Sequence, residues 1–257
     1  MMVMGQPPNQ PRCGACKDGV QAPFDFSMAF QPIVDVTSGT VYAYEALVRG
    51  TKGEGAHTIL QQVTEENRYQ FDQNCRVKAI SLAAKLNLAA TGALLSINFM
   101  PGAVYSPSSC IQLTLETSTR VGFPCNLLIF EITETEQVQD RAHLRGIVAE
   151  YRRLGFKVAL DDFGAGHSGL NLLADFPTDI IKLDMELTRD LPNRPTALLI
   201  LKTMVRLAEE LGSELVAEGV ETVEEFEALK ACGVRLMQGY LFARPGFECL
   251  PDVLLPR

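Results

Sequence analysis

The stretch "AFQPIVDVTSGTVYAYEALVR", Ala29 to Arg49, decides how this chain folds. Two apolar runs, "AFQPIVD" (29–35) and "VYAYEALVR" (41–49), are separated by the five residues "VTSGT". A parallel crossover needs about a dozen residues, so the two runs predict an antiparallel hairpin with Ser38 and Gly39 in its turn. Six further runs follow: "LLSINF" (94–99), "LLIFEIT" (127–133), "FKVALDD" (156–162), "DIIKLD" (179–184), "ELVAEGV" (214–220) and "LMQGYLF" (236–242). Helical spacing of apolar residues lies between most of them, at 75–88, 138–154 and 196–211. Strands alternating with helices predict a parallel sheet, and eight of them predict closure. The expected fold is α/β, an irregular (β/α)8 TIM-like barrel with one antiparallel strand.

A chain of 257 residues suits one such barrel, since these run to about 250 residues as a single domain. Residues 1–24, with "CGAC" at 13–16, read as an N-terminal leader expected to be flexible, and 25–257 as the domain. No apolar run approaches the roughly 18 residues of a membrane span, and the leader has no signal-peptide core. With an odd number of scattered cysteines, this predicts free thiols in a cytoplasmic protein. Cys13 and Cys16 lack a partner pair at zinc spacing. A net charge of −8 with no Lys/Arg cluster excludes a nucleic-acid polymer as the main partner. A small phosphate-bearing ligand stays open where metal ions mask the acids.

Polar residues recur in or at the end of the apolar runs: Glu45, Asn98, Glu131, Asp161 with Asp162, Lys182 with Asp184, Glu218 and Gln238. An isolated acid after a strand usually caps a helix or faces solvent. Seven runs doing so together point to one barrel mouth, where strand ends converge and active sites are built. The stretch "VALDDFGAGHSGL" (158–170) sets two carboxylates side by side. Neighbouring strand residues face opposite ways, so irregular geometry is needed to aim both at one place. Five carboxylates in one mouth cannot all be ionised and close without compensation, and Lys182 alone is too little. Oxygen ligands with one Asn and no His or Cys point to Mg²⁺ or Mn²⁺, a pair of ions with Asp161 bridging. His57, His143 and His167 fall off the strand ends.

"EALVR" (45–49), "FEITETE" (130–136), "DDFGAGHS" (161–168), "KLD" (182–184), "AEGVE" (217–221) and "QGY" (238–240) together resemble the signature set of the EAL-domain family. These are bacterial phosphodiesterases that open cyclic di-GMP to linear pGpG. The three letters alone would carry nothing, but the ordered set from about Ser27 to Pro245 is specific. The resemblance implies that Glu45, Asn98, Glu131 and Asp161 hold one ion, and that Asp161 bridges to a second held by Asp162 and Glu218. It implies that Lys182 bonds the attacking water, Glu218 is available as base, and Glu221 supports the water around the ions. Gln31, Leu47, Arg49, Asp184 and Gln238 are implied to contact the dinucleotide, Arg49 at a phosphate. Glu134 matches an acid that anchors the loop after the fourth run and couples it to a homodimer interface. The regulatory partner is not implied. Two departures, Met100 where Ser is common and His167 where Tyr is usual, touch loop geometry and remove no ligand. A non-catalytic cyclic di-GMP receptor of the same fold is the main rival, and such proteins usually lack one of the acids present here. A barrel hydrolase of another phosphodiester is the second rival.

Overall fold

The computed structural model describes residues 24–133, 141–166 and 169–256. Eight strands fall on the eight apolar runs: β1 (Ser27–Asp35), β2 (Thr40–Arg49), β3 (Leu94–Asn98), β4 (Leu128–Thr133), β5 (Lys157–Phe163), β6 (Ile180–Leu183), β7 (Glu214–Ala217) and β8 (Leu236–Met237). Strands β2 to β8 pair in parallel in sequence order, and β1 closes the ring antiparallel to both β8 and β2. The barrel with one reversed strand is therefore observed. A short ninth strand, β9 (Gly246–Phe247), adds antiparallel to β1 outside the ring.

The hairpin that reverses β1 turns on its own side chains. Asp35 Oδ1 accepts from the backbone N–H of Thr37 and Ser38 at 2.9 and 3.2 Å, and Gly39 takes φ +72°. That dihedral is open to glycine at little cost and strained for most other residues.

Between β2 and β3 run α1 (Ala56–Leu60) and α2 (Arg68–Lys85), and between β3 and β4 run α3 (Pro107–Cys110) and α4 (Gln112–Val121). After β4 come α5 (Arg141–Arg153), then β5, α6 (Gly169–Asp175), β6, α7 (Met185–Thr188) and α8 (Pro195–Leu211), with α9 (Val223–Ala231) between β7 and β8. Of the predicted helices, 138–154 and 196–211 correspond to α5 and α8. Helix α2 begins at Arg68, before the predicted 75, in a stretch where buried Asp72 and Gln73 interrupt the apolar spacing. The main core packs these helices on the outer face of the sheet, from Phe30, Leu95 and Phe130 to Tyr151, Leu183 and Leu229. No described helix is long and apolar enough to cross a membrane.

Residues 1–23 with Cys13 and Cys16, residues 134–140 with Glu134, and His167 lie outside the described residues. Phe24, assigned above to the leader, packs its ring 5.7 Å from that of Phe71 in α2.

Candidate active site

Inside the barrel, Ile33, Ala43, Ile129, Ala159, Ile180, Val216 and Leu236 form a closed apolar layer, with Leu94 packed against it. Strand side chains alternate between faces, so the next interior position lies two residues along each strand. Counting two residues toward the mouth gives Glu45, Ser96, Glu131, Asp161, Lys182, Glu218 and Gln238, and on reversed β1 it gives Gln31. One interior layer is apolar and the next is polar almost throughout. This register brings the candidate acids together at the C-terminal end of the parallel strands.

Asp162 reaches the same place by a different device. In the β5–β6 pairing, Leu160 stands opposite Ile181 and Phe163 opposite Leu183, so Asp161 and Asp162 together oppose Lys182. The extra residue is a β-bulge, and Asp162 takes it up with φ +52°. Such left-handed backbone in a non-glycine residue is uncommon and clusters at functional sites. It keeps both carboxylates at the mouth.

Two groups of acids result. Ligand atoms of Glu45, Glu131 and Asp161 lie within 4.8 Å of one another, and so do those of Asp161, Asp162 and Glu218. Asp161 belongs to both. Lys182, 1% exposed, sits among four of the five, its Nζ 2.7 Å from Glu218, 2.9 Å from Asp161, 3.0 Å from Glu131 and 3.4 Å from Glu45. Asn98 Nδ2 and Gln238 Nε2 donate to the two oxygens of Glu45, each at 2.9 Å. Ser96 donates to Glu131 Oε1 at 2.5 Å.

The electrostatics follow from this crowding. Burial pushes Glu131 and Glu218 well above the usual carboxylate range, with neighbouring acids adding to it against the pull of Lys182. Asp161 is raised by burial too, and Asp162 is pushed up to about 6 by burial and then by Asp161. Burial also disfavours ionised Glu45, but Lys182, Gln238 and Asn98 outweigh it and hold that acid low. For Lys182 burial works against the charge, and the surrounding carboxylates raise its pKa well above normal nonetheless.

Fully ionised, five carboxylates and one ammonium leave four net negative charges, the amount two divalent cations neutralise. Asp161 Oδ1 is paired with Lys182 alone, and Gln238 Oε1 is buried without a hydrogen-bond partner. The all-oxygen donor set, the shared Asp161 and the unpartnered Gln238 Oε1 fit hard divalent ions.

The cleft over this cluster has a volume of about 320 Å³, and Gln31, Leu47, Glu221 and Tyr240 line it beside the acids. Gly239 supports its floor, since a Cβ there would meet Val220 O at 2.0 Å. The other predicted residues lie differently. Arg49, at the end of β2, donates to Val48 O at 2.7 Å and is not among the residues lining the cleft. Asp184 caps α7, accepting from Glu186 N–H at 2.8 Å. Glu221 is held by Arg189 at 2.9 Å, which keeps its carboxyl below the usual range. Sequence reading missed Ser96. Counting two residues back from Asn98 along "LLSINF" would have found it.

A family model described as EAL domain matches residues 19–245. The chain is 32% identical over 235 residues to "Cyclic di-GMP phosphodiesterase PA2567" of Pseudomonas aeruginosa, covering 89% of this chain and 39% of that protein. Among solved structures, a standalone EAL protein from Vibrio cholerae in its c-di-GMP bound form is 52% identical with a TM-score of 0.87, covering 91% of this chain and 98% of that one. Klebsiella pneumoniae BlrP1 in a manganese/cy-diGMP complex is 36% identical with a TM-score of 0.82, covering 89% of this chain and 58% of that one. The chain thus spans about two-fifths of the length of the curated phosphodiesterase it matches.

Proposed function

The chain belongs to the EAL domain family, and from that premise we propose that it is a metal-dependent phosphodiesterase hydrolysing cyclic di-GMP to linear pGpG. The observation that carries this reading is the pair of acid triads sharing Asp161. The Vibrio cholerae protein is similar to this chain in its c-di-GMP bound form, and the Klebsiella pneumoniae one in a complex with manganese and cyclic di-GMP. In this reading Glu45, Asn98, Glu131 and Asp161 would hold one Mg²⁺ or Mn²⁺ ion, and Asp161, Asp162 and Glu218 would hold a second.

Two such ions, when bound, activate water and offset charge on the oxygens of an in-line displacement at phosphorus. The chain's own residues do the rest. Lys182 is buried with its ammonium between Asp161 and Glu218, and there it donates to the attacking water and orients it. Glu218 accepts the proton of that water. Asn98 and Gln238 fix both oxygens of Glu45, so that acid cannot rotate away from its ion. Gln31, Leu47 and Gln238 border the space for the dinucleotide, and Glu221 holds solvent at the rim. Arg49 and Asp184 contact substrate after leaving their present partners. An acidic cleft repels a phosphodiester, and bound divalent ions would offset that repulsion.

The receptor reading explains the pocket equally but leaves the complete acid set without a task. We further propose a homodimer, with Glu134 anchoring the loop that joins interface and ions. Cytoplasmic placement is supported by the described cysteines, Cys75, Cys110, Cys125, Cys232 and Cys249, all free thiols. Incubating the purified protein with cyclic di-GMP and Mg²⁺ or Mn²⁺, then separating products by chromatography, tests the function. Linear pGpG is expected, and intact cyclic dinucleotide tightly bound but unchanged would favour the receptor.

A further inference from the structure

An ion pair is buried on the far side of the sheet from the acid cluster. Arg76 of α2 is fully buried, its Nη2 2.7 Å from Asp72 Oδ2 and its Nη1 donating to Tyr151 OH of α5 at 2.8 Å. Its guanidinium carbon lies 5.2 Å from the ring centre of Phe99, 5.3 Å from that of Phe130 and 5.8 Å from that of Tyr151. Phe99 follows Asn98, and Phe130 precedes Glu131. Alternation along a strand turns each ring outward where its neighbour turns inward, so Arg76 packs directly behind two of the residues assigned to the first ion.

Asp72 adds the polar link. Its Oδ1 accepts from the backbone N–H of Met100 at 2.8 Å, and Phe99 N–H donates to Glu131 O at 3.2 Å. The segment from Ile97 to Met100 borders a cavity of about 280 Å³ lined mainly by apolar residues. A buried ion pair brings little net stability over a well-packed apolar substitute, so stability alone does not account for it. Its geometry does.

We propose that Asp72, locked by Arg76, is a positioning residue that tethers the Asn98–Met100 segment and thereby sets the Asn98 amide against Glu45 for metal binding. This rests on the two-ion reading above. Asp72 touches neither ion nor substrate and acts through the Met100 amide.

Two double variants of the full chain separate tether from structure. Asp72→Leu with Arg76→Met removes the ion pair and the acceptor for Met100. Asp72→Asn with Arg76→Met removes the same charges but keeps a side-chain oxygen for that N–H. Neither leaves a buried charge unpaired. Calorimetric titration with Mn²⁺ should show about tenfold weaker binding for the Leu/Met variant, in the range of changes to groups that support metal ligands. The Asn/Met variant should stay within about threefold of the unsubstituted chain, by the same comparison. Equal Mn²⁺ affinity in the two doubles overturns the tether. Should the Leu/Met variant fail to fold, hydrogen exchange of the Met100 amide in the unsubstituted protein decides: strong protection is expected, and exchange at the rate of a free amide overturns the proposal. An unsubstituted chain that binds no Mn²⁺ sinks the metal reading itself, a result distinct from either.

Discussion

Asp161 and Asp162 are adjacent in sequence, yet ligand oxygens of both lie within 4.8 Å of one another and of Glu218. The bulge opposite Lys182 and the left-handed backbone of Asp162 produce this. Separate demands on backbone and charge therefore meet at one residue, and they can be separated by substitution.

Asn tolerates the left-handed region better than most residues but cannot offset a divalent ion. Asp161→Asn and Asp162→Asn should each abolish cyclic di-GMP turnover without lowering the melting temperature of the metal-free protein. Asp162→Val should lose turnover and also about 1–2 kcal/mol of stability, the expense of a left-handed β-branched residue. Chromatographic turnover and calorimetric melting read the two effects. A cooler melt for Asp162→Asn would mean that its charge holds the turn.

The pH dependence has a definite sign. Burial and then Asp161 push Asp162 up to about 6, and Asp161, Glu131 and Glu218 are raised as well. A carboxyl with a raised folded pKa binds more protons folded than unfolded, so stability falls as pH rises through that interval. In EDTA, the melting temperature should therefore drop between about pH 5 and pH 7, above the range where the low-pKa acids titrate. Saturating Mg²⁺ should flatten or reverse the slope, because the ions replace those protons. A metal-free melting temperature that rises across this window would contradict the crowding.

Lys182 is the internal cation among four acids. Lys182→Met removes it while keeping much of its volume. Breaking a buried pair costs about 3–5 kcal/mol, and partial protonation of the acids offsets some of that. The variant should melt well below the unsubstituted chain in EDTA, regain much of the difference in Mn²⁺, and show no turnover. Equal melting temperatures in EDTA would mean that Lys182 compensates nothing.

Ser96 gives a subtler check. Its hydroxyl fixes one oxygen of Glu131 and leaves the other toward Lys182. Ser96→Ala should weaken Mn²⁺ binding by about tenfold, as for other groups that orient ligands. Titration calorimetry at constant pH measures it, and unchanged affinity would show that packing alone orients Glu131.

How much of this was legible beforehand depended on what each residue does to the apolar pattern. The five-residue "VTSGT" connection was enough to reverse β1, because chain length forbids the alternative. The acids were visible because charge interrupts apolar runs. Ser96 does not interrupt one and passed unseen. In α2 the failure ran the other way, since Asp72 and Arg76 look solvent-exposed by type while the fold buries them against each other. The adjacent acids called for irregular geometry at a strand end, but only backbone dihedrals could place the bulge within β5. Strand β9, two residues long, carries no periodicity at all. Arg49 and Asp184 now bond to the backbone, and sequence could not reveal those local contacts.

The central claim is that two divalent ions occupy the cluster and share Asp161. Counting Mn²⁺ ions by calorimetric titration of chelator-treated protein tests it most directly. Two ions per chain are expected, with binding at both weakened together in Asp161→Asn. One ion per chain, or two still bound with unchanged affinity in Asp161→Asn, would contradict it.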